Sequence, residues 1–561
     1  MKSTKLLAVL IVMGLILSAC SGPAAPTAAP ATPAESAATG APQASTPESP
    51  AATATPQAEA PVVGGTLNII SGAMKQFDPA FCSDDPSFHA VSNIFSLLYR
   101  HEGNEVIPDL AESWEYENDT SLVFHLRHGV MFHDDNVVFP KGQSREVVAD
   151  DVVYSINRAL TIEGNTQPVD LRTSFDSVEA VDKYTVRLKF KTPDGLLFAN
   201  ARGLSMMGIV PKEAVEKLGK DFAMNPIGSG PYKFLEYKPD DHLTLVRNDL
   251  YWKKPNLDKV VFKIIPDGNV QTMTLENGEG DIMLDGLPAT AYDRLKADNR
   301  FVVAAGGCPL PTQILFQFKN PLYAQLKFRQ AISYALDKEG INASIRRDMV
   351  IPGCGQAGPG VPGYVPDLCT KYFGYDPAKA KALLGELGYT DSNNDGILEK
   401  DGQPLKIPLE VWSTAPMPQY GAAIVSQLKD VGIQVDLQTV EFGTWINDFY
   451  GSADKLFLTM GFCGDGGLSN LWGKGSLDSI GFNDPEVFDL LDKSNQTVNA
   501  AEREKLLQQA TERIYGQYDA IPLGFTDLFL VHSTAVHDYT PTLWFLNLCT
   551  AKSNVWIERK S

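Results

Sequence analysis

The sequence predicts an α/β protein of more than one lobe, and three observations lead there. A strand-helix-strand unit is legible between Ile407 and Val440, and alternating apolar positions mark strands elsewhere. The body from Gly64 to Ser561 is about 500 residues, more than one core commonly supports, so two or three lobes are expected. In the clearest unit, Ile407 to Ser413 reads as a strand, Tyr420 to Lys429 as a helix closed by Gly432, and Ile433 to Val440 as a second strand. Strands joined this way lie parallel, and ligands gather at the carboxyl ends of such strands, where Trp412 falls.

The other elements follow in chain order. Thr66 to Ile70 reads as a strand and Phe88 to Tyr99 as a helix. Leu122, Phe124 and Leu126 alternate with Val123, His125 and Arg127, the period of a half-buried strand. Val152, Val153, Ile156 and Leu160 form one helical stripe between Ala149 and Leu160, with Asp150 or Asp151 as its N-cap. A Gly turn at Gly228 feeds a strand to Tyr237, answered by His242 to Asn248. A helix from Val270 to Leu275 passes through a Gly-rich turn into the short strand Ile282 to Leu284.

The N-terminus sets the compartment. Lys2 and Lys5 precede an apolar run from Leu6 to Leu17, shorter than the roughly 20 residues of a membrane-spanning helix. It reads as a signal peptide, residues 1–19, ending in Leu17, Ser18, Ala19 and Cys20. That ending resembles the bacterial lipobox, which makes Cys20 the lipidated first residue of the mature chain, held on the extracytoplasmic face of the cell membrane. Residues 20–62 are then a stalk of Ala, Pro, Thr, Ser and Gly with no aromatic residue and with Glu35, Glu48 and Glu59 as its charges. Such a segment buries no core and extends as a polyproline-like spacer.

Composition narrows the partners. Apolar residues at 44% and charged residues at 21% are ordinary for a globular body. The net charge of −20, from which a cleaved leader would remove two further positive charges, excludes nucleic acid and anionic lipid as electrostatic partners. Beyond Cys20 the cysteines are Cys82, Cys308, Cys354, Cys369, Cys463 and Cys549, and an even count in an exported chain favours disulfides throughout. Cys354 and Cys369 are the nearest pair, flank a Gly/Pro-rich loop, and are expected to bond.

Several stretches, in order, resemble one family. They are Leu110 to Asp135 (LAESWEYENDTSLVFHLRHGVMFHDD) with Ala149 to Ala159, Gly228 to Tyr237 with Arg247 to Asp267, and Asn277 to Ile282 (NGEGDI). Phe328 to Glu339, Pro359 to Asp367 and Asp376 to Tyr389 continue the series. Together they resemble the extracellular solute-binding proteins of peptide, dipeptide and nickel ABC importers. The resemblance implies a two-lobed, three-domain periplasmic-binding-protein-like fold, with an extra domain inserted into the first. Domain I would comprise 64–82, 228–307 and 536–561, domain II 83–227, and domain III 308–535. It implies a monomeric, non-enzymatic receptor without a cofactor that closes on a small-molecule ligand, a peptide or dipeptide, and hands it to an ABC permease. An oligosaccharide or a metal chelate is the alternative cargo.

The resemblance also implies where the ligand sits. In Leu458 to Gly467 (LTMGFCGDGG), Asp465 matches the position whose carboxylate pairs with a peptide α-ammonium in peptide-binding members. Phe462 stands where many members carry Trp, and the Asp-Pro that often follows is replaced by GGLSN. Backbone at Gly461, Phe462 and Cys463, and from Ser71 and Gly72 to Met74, would add strand-like bonds to an extended peptide. Cys463 with Cys308 occupies the places of a disulfide found in some members. Trp412, Trp445, Trp472 and Trp544 could line the cleft or pack the core.

Other patterns lead elsewhere. His125, His128 and His133 suggest zinc by composition, but the first two fall on opposite faces of a strand or in its turn, which favours structural roles. Gly353, Gly355 and Gly358 match a dinucleotide fingerprint in form, with Pro352 and Pro359 beside them and no helix following. Asp391, Asn393, Asp395 and Gly396 begin like a calcium loop, yet Gly402 stands where the bidentate acid belongs, so a hairpin loop is the stronger reading. A secreted hydrolase would need a nucleophile elbow or a metalloprotease helix, and no such motif is present.

Overall fold

The computed structural model describes residues 60–558, apart from 103–104, 167–173, 199–202, 307–308, 348, 452–453, 462–465, 527–528 and 543–545. Three sheets organise it. The central strand of the first, Thr66–Ser71, runs parallel to Lys259–Ile264 on one side and to Ile282–Met283 on the other. Antiparallel His242–Arg247 and Tyr232–Lys238 extend one edge, and Phe529–Ser533 and Phe301–Ala305 extend the other. A four-stranded antiparallel sheet, in the order 111–118, 121–126, 185–190 and 175–182, lies wholly within residues 83–227. The third sheet has six strands in the order 350–351, 520–526, 310–315, 456–460, 406–412 and 434–440.

The strand-helix-strand unit is parallel, with Lys406 opposite Gln434 and Trp412 opposite Val440. Its helix, Met417–Asp430, starts three residues earlier than the apolar pattern indicated, at a proline-containing first turn. The helix expected at 88–99 instead spans Asp85–Ile94. Asp84 caps it by accepting from Ser87 N at 3.0 Å, and Pro86 fills its first turn. It stops because the Ile94 carbonyl accepts from Gly230 N at 2.9 Å, which diverts the chain into Phe95 to Leu98 and the strand Tyr99–Glu102. The helix Ala149–Thr161 is preceded by Val148, not by an aspartate. Asp151 lies inside its first turn, accepting from Val148 N at 3.0 Å and from the Arg145 guanidinium at 2.7 and 2.8 Å.

The first and second sheets share one core. Leu67, Ile69 and Phe262 join Phe95 and Tyr99, which reach Leu122, Phe124 and Leu188 without a break. Inside that core Arg100 and Asp109 form a fully buried ion pair at 2.8 Å. Its remaining polar atoms are satisfied by the Ser92 and Phe95 carbonyls, Leu97 N and the Tyr251 hydroxyl. The six-stranded sheet has a separate core, with Ile314, Leu409, Leu458 and Ile521 on its strands. An aromatic ladder of Trp412, Trp445, Phe449 and Phe457 covers it, with ring centroids 5.1 to 5.9 Å apart.

Register fixes how the two cores face each other. Ala305 pairs with Phe529 at the carboxyl edge of the seven-stranded sheet, where Leu287 N also donates to Phe529 O at 2.8 Å. Leu310 pairs with Thr526 at the edge of the six-stranded sheet where Leu456–Met460 ends. Both crossings between the sheets thus run from carboxyl edge to carboxyl edge. The return crossing precedes Phe529, which moves the boundary expected at 535 toward the N-terminus, because Phe529–Ser533 is a strand of the first sheet. Met349 packs beside Ile70, Met283 and Val531 at this junction, and Arg347 forms an ion pair with Asp293 there.

Candidate functional site

The carboxyl edges of the two mixed sheets are the candidate site, because ligands gather at the carboxyl ends of parallel strands. On the wall of the seven-stranded sheet, Ser71 ends its strand fully buried, and its hydroxyl lacks a partner among the described residues. Its carbonyl accepts from Ile265 N at 2.8 Å, and the Met74 carbonyl accepts from the Tyr237 hydroxyl at 2.7 Å. These carbonyls thus already hold one donor each. Gly72 passes so close to Asp285 that a Cβ there would lie 2.8 Å from the carboxylate oxygen.

On the opposite wall, Gly461 N donates to Pro311 O at 2.7 Å, so that N–H points into the sheet. A side chain at Gly461 would collide with Pro311 and Gln356. Gln356 accepts from Gln313 Nε2 at 3.1 Å, and Gln313 in turn accepts from the Tyr515 hydroxyl at 2.6 Å. The loop that carries Gln356 is closed by a Cys354–Cys369 disulfide, the pair expected from its spacing. Its glycines allow close packing: Gly358 lies on Pro309, and Gly363 on Leu468 and Leu507. The cross-link therefore closes the loop whose Gln356 packs against Gly461. Phe462, Cys463 and Asp465 follow Gly461 in the chain. Those three residues, Cys308, Trp544 and Cys20 lie outside the described residues.

Trp412 sits at its predicted strand end but is 5% exposed, with its ring edge-on to Trp445 and Phe442. Trp445 and Trp472 are fully buried. These three tryptophans pack in the core of the six-stranded sheet, a placement that strand-end position alone could not separate from an exposed one. The expectation that every body cysteine is paired also fails: Cys82 and Cys549 are free and buried. Their thiols lie near the Asp84 and Lys253 carbonyls, and burial pushes Cys549 up to about 12 and Cys82 well above its ordinary value.

The candidate metal residues resolve into ordinary structure. His133 is buried against Gly230 O at 3.0 Å, His128 stacks on Tyr184, and His125 lies 3.8 Å from Glu115. In the loop beginning at Asp391, the carboxyl groups of Asp391, Asp395 and Glu399 come within 4.8 Å of one another. They accept from the loop's own N–H groups, Asp391 from Asp395 and Gly396, Asp395 from Ile397, and Glu399 from Ser392. Glu399 was missed because it arrives through the hairpin 399–400/403–404, not at the twelfth loop position.

Sequence reasoning also missed Asp285. It follows the short strand Ile282–Met283 at the carboxyl edge, and its Oδ2 accepts from Gln271 Nε2 at 2.6 Å. Gln271 is held by a second bond, to Ile265 O at 2.6 Å. Asp285 is open to solvent, yet the walls around it remove enough water to push its carboxyl up to about 6, against the Gln271 and Gly72 bonds. A further contact joins the lobes: Gly195 N donates to Asn495 O at 2.7 Å, where a Cβ would strike the Thr497 carbonyl.

Comparison with known proteins gives the architecture its family. The model of bacterial extracellular solute-binding proteins, family 5 middle, matches residues 105–463. The oligopeptide-binding protein AppA of Bacillus subtilis is 31% identical over 459 residues, 79% of this chain and 77% of its own length. The heme-binding protein A of Haemophilus influenzae is 29% identical over 82% of this chain and 87% of its own. The solved structure of B. subtilis AppA with a nonapeptide superposes with a TM-score of 0.65 at 25% identity, covering 89% of this chain and all of that one. The chain is therefore a bacterial extracellular solute-binding protein of family 5.

Proposed function

We propose that this protein captures an extended peptide or dipeptide between its two carboxyl-edge walls and delivers it to an ABC permease. The observation that carries the reading is the 31% identity to an oligopeptide-binding protein across both lobes. The two sheets, each with its own core and with their parallel strands ending at the edges the chain crosses between, support it, since lobes joined this way can close on a ligand. In this reading Asp465 pairs with the ligand α-ammonium, and backbone near Ser71 and Gly461 reads the main chain. Ligand binding draws the protein toward its closed form, which the permease recognises.

The relative named for heme binding supplies the rival cargo. Mass spectrometry of small molecules released on denaturing the purified protein separates the two: a ladder of short peptides is expected, whereas heme or a metal chelate would overturn the peptide reading.

The same reading places the protein on the outer face of the cell membrane, tethered through Cys20 and the stalk to residue 62. No helix of the described residues is long and apolar enough to cross a membrane. Cys20→Ser is expected to release the protein into the soluble fraction, and its continued retention in membranes would refute the anchor.

A further inference from the structure

We propose that Asp285 is an anionic contact for ligand and that it receives a cationic nitrogen such as a lysine or arginine side chain of the bound peptide. The inference rests on the peptide reading above and adds a side-chain preference to it.

Asp285 lies two residues before Leu287, which bonds to Phe529 at the crossing between the lobes. Asp285 also follows a strand end on the edge where the strands ending at Ser71, Ile264 and Met283 lie side by side. Its orientation is set before any ligand arrives. Gln271, 1% exposed and anchored on Ile265 O, grips one oxygen, and the absence of a side chain at Gly72 lets the backbone approach the same oxygen.

What the site lacks is a cation. Among the described residues, no lysine, arginine or histidine forms an ion pair with Asp285, and its bonds come from one neutral amide and one backbone N–H. The helix start beside Gly72 brings Asp84, Asp85 and Pro86, which add no positive charge. A carboxylate with no counter-charge beside it is stabilised by an opposite charge, and a ligand is the available source once the lobes close over it.

Calorimetry on the intact mature protein tests this with alanine tetrapeptides carrying one lysine at the second, third or fourth position, each against its acetyl-lysine counterpart. In at least one register the lysine peptide is expected to bind about 10- to 100-fold tighter. Asp285→Asn should remove that difference and leave the acetyl-lysine affinity within about twofold, and Asp285→Lys should move the preference to a glutamate peptide. Two results would overturn the inference: tight binding with no lysine preference in any register, or a preference that survives in Asp285→Asn. Failure of the folded wild type to bind every peptide would instead overturn the peptide reading, and this inference with it.

Discussion

The core under the first two sheets and the core under the six-stranded sheet both bury ion pairs, Arg100 with Asp109 in the first and Arg329 with Asp519 in the second, but the first also buries imidazole and the second does not. The first buries charge and imidazole: Arg100 with Asp109, Arg158 with Asp78, and the rings of His89, His101 and His133. All eight histidines lie outside residues 308–526. The second relies on stacked aromatic rings and a disulfide, with Trp412, Trp445, Phe449 and Phe457 in one ladder and Cys354 bonded to Cys369. The difference teaches that acid should attack the histidine-bearing lobe first, although both walls must survive for ligand to be held between them.

The largest expected effect is Asp109→Ala, which strands Arg100 without its counter-charge in a fully buried site. A loss of about 3–5 kcal/mol is expected in the lobe of the first two sheets. Urea titration followed by hydrogen exchange reads it: amides in 99–126 should open early while those in 406–460 keep their protection. Equal loss in both stretches would break the comparison.

A smaller effect sharpens it. Burial depresses His89, His101 and His133 to about 4, from an ordinary value near 6.5. The unfolded chain binds protons that the folded chain refuses between those values, so this stability is present above about pH 6.5 and lost as pH falls toward 4. Each ring is expected to cost on the order of 1–3 kcal/mol by the lower limit of that window. Amides near these rings should lose protection between about pH 6.5 and 4 ahead of those in the aromatic ladder, and His133→Gln should shift the loss to lower pH. Simultaneous acid opening of both lobes would contradict the assignment.

Regular patterns carried much of the fold. The parallel unit at 406–440 was legible because its strand period, helix period and Gly432 agree locally. The strand Ser121–Leu126 was legible for the same reason. The end of the helix at Ile94 was not, since Gly230, far along the chain, captures its last carbonyl. Cysteine parity correctly favoured Cys354 with Cys369, where a short loop makes spacing informative, and misled for Cys82 and Cys549, where only tertiary geometry decides. For the site, the strand ends at Ser71 and Trp412 could be located from periodicity, but not which face of each would be packed. A lone acid after a two-residue strand, Asp285, has no local signature and becomes visible only when Gly72 and Gln271 are brought to it.

The central claim is that the cleft holds a peptide by its amino end, and one calorimetric cycle tests it most directly: wild type and Asp465→Ala, each titrated with tetra-alanine and with N-acetyl-tetra-alanine. A buried ammonium left without its carboxylate costs several kcal/mol, so each single change is expected to weaken binding by about 2–5 kcal/mol. The two changes together should cost little more than either alone, because both delete the same pair. Equal affinity of wild type and Asp465→Ala for the free-amino peptide, or no penalty for acetylation, would contradict the account.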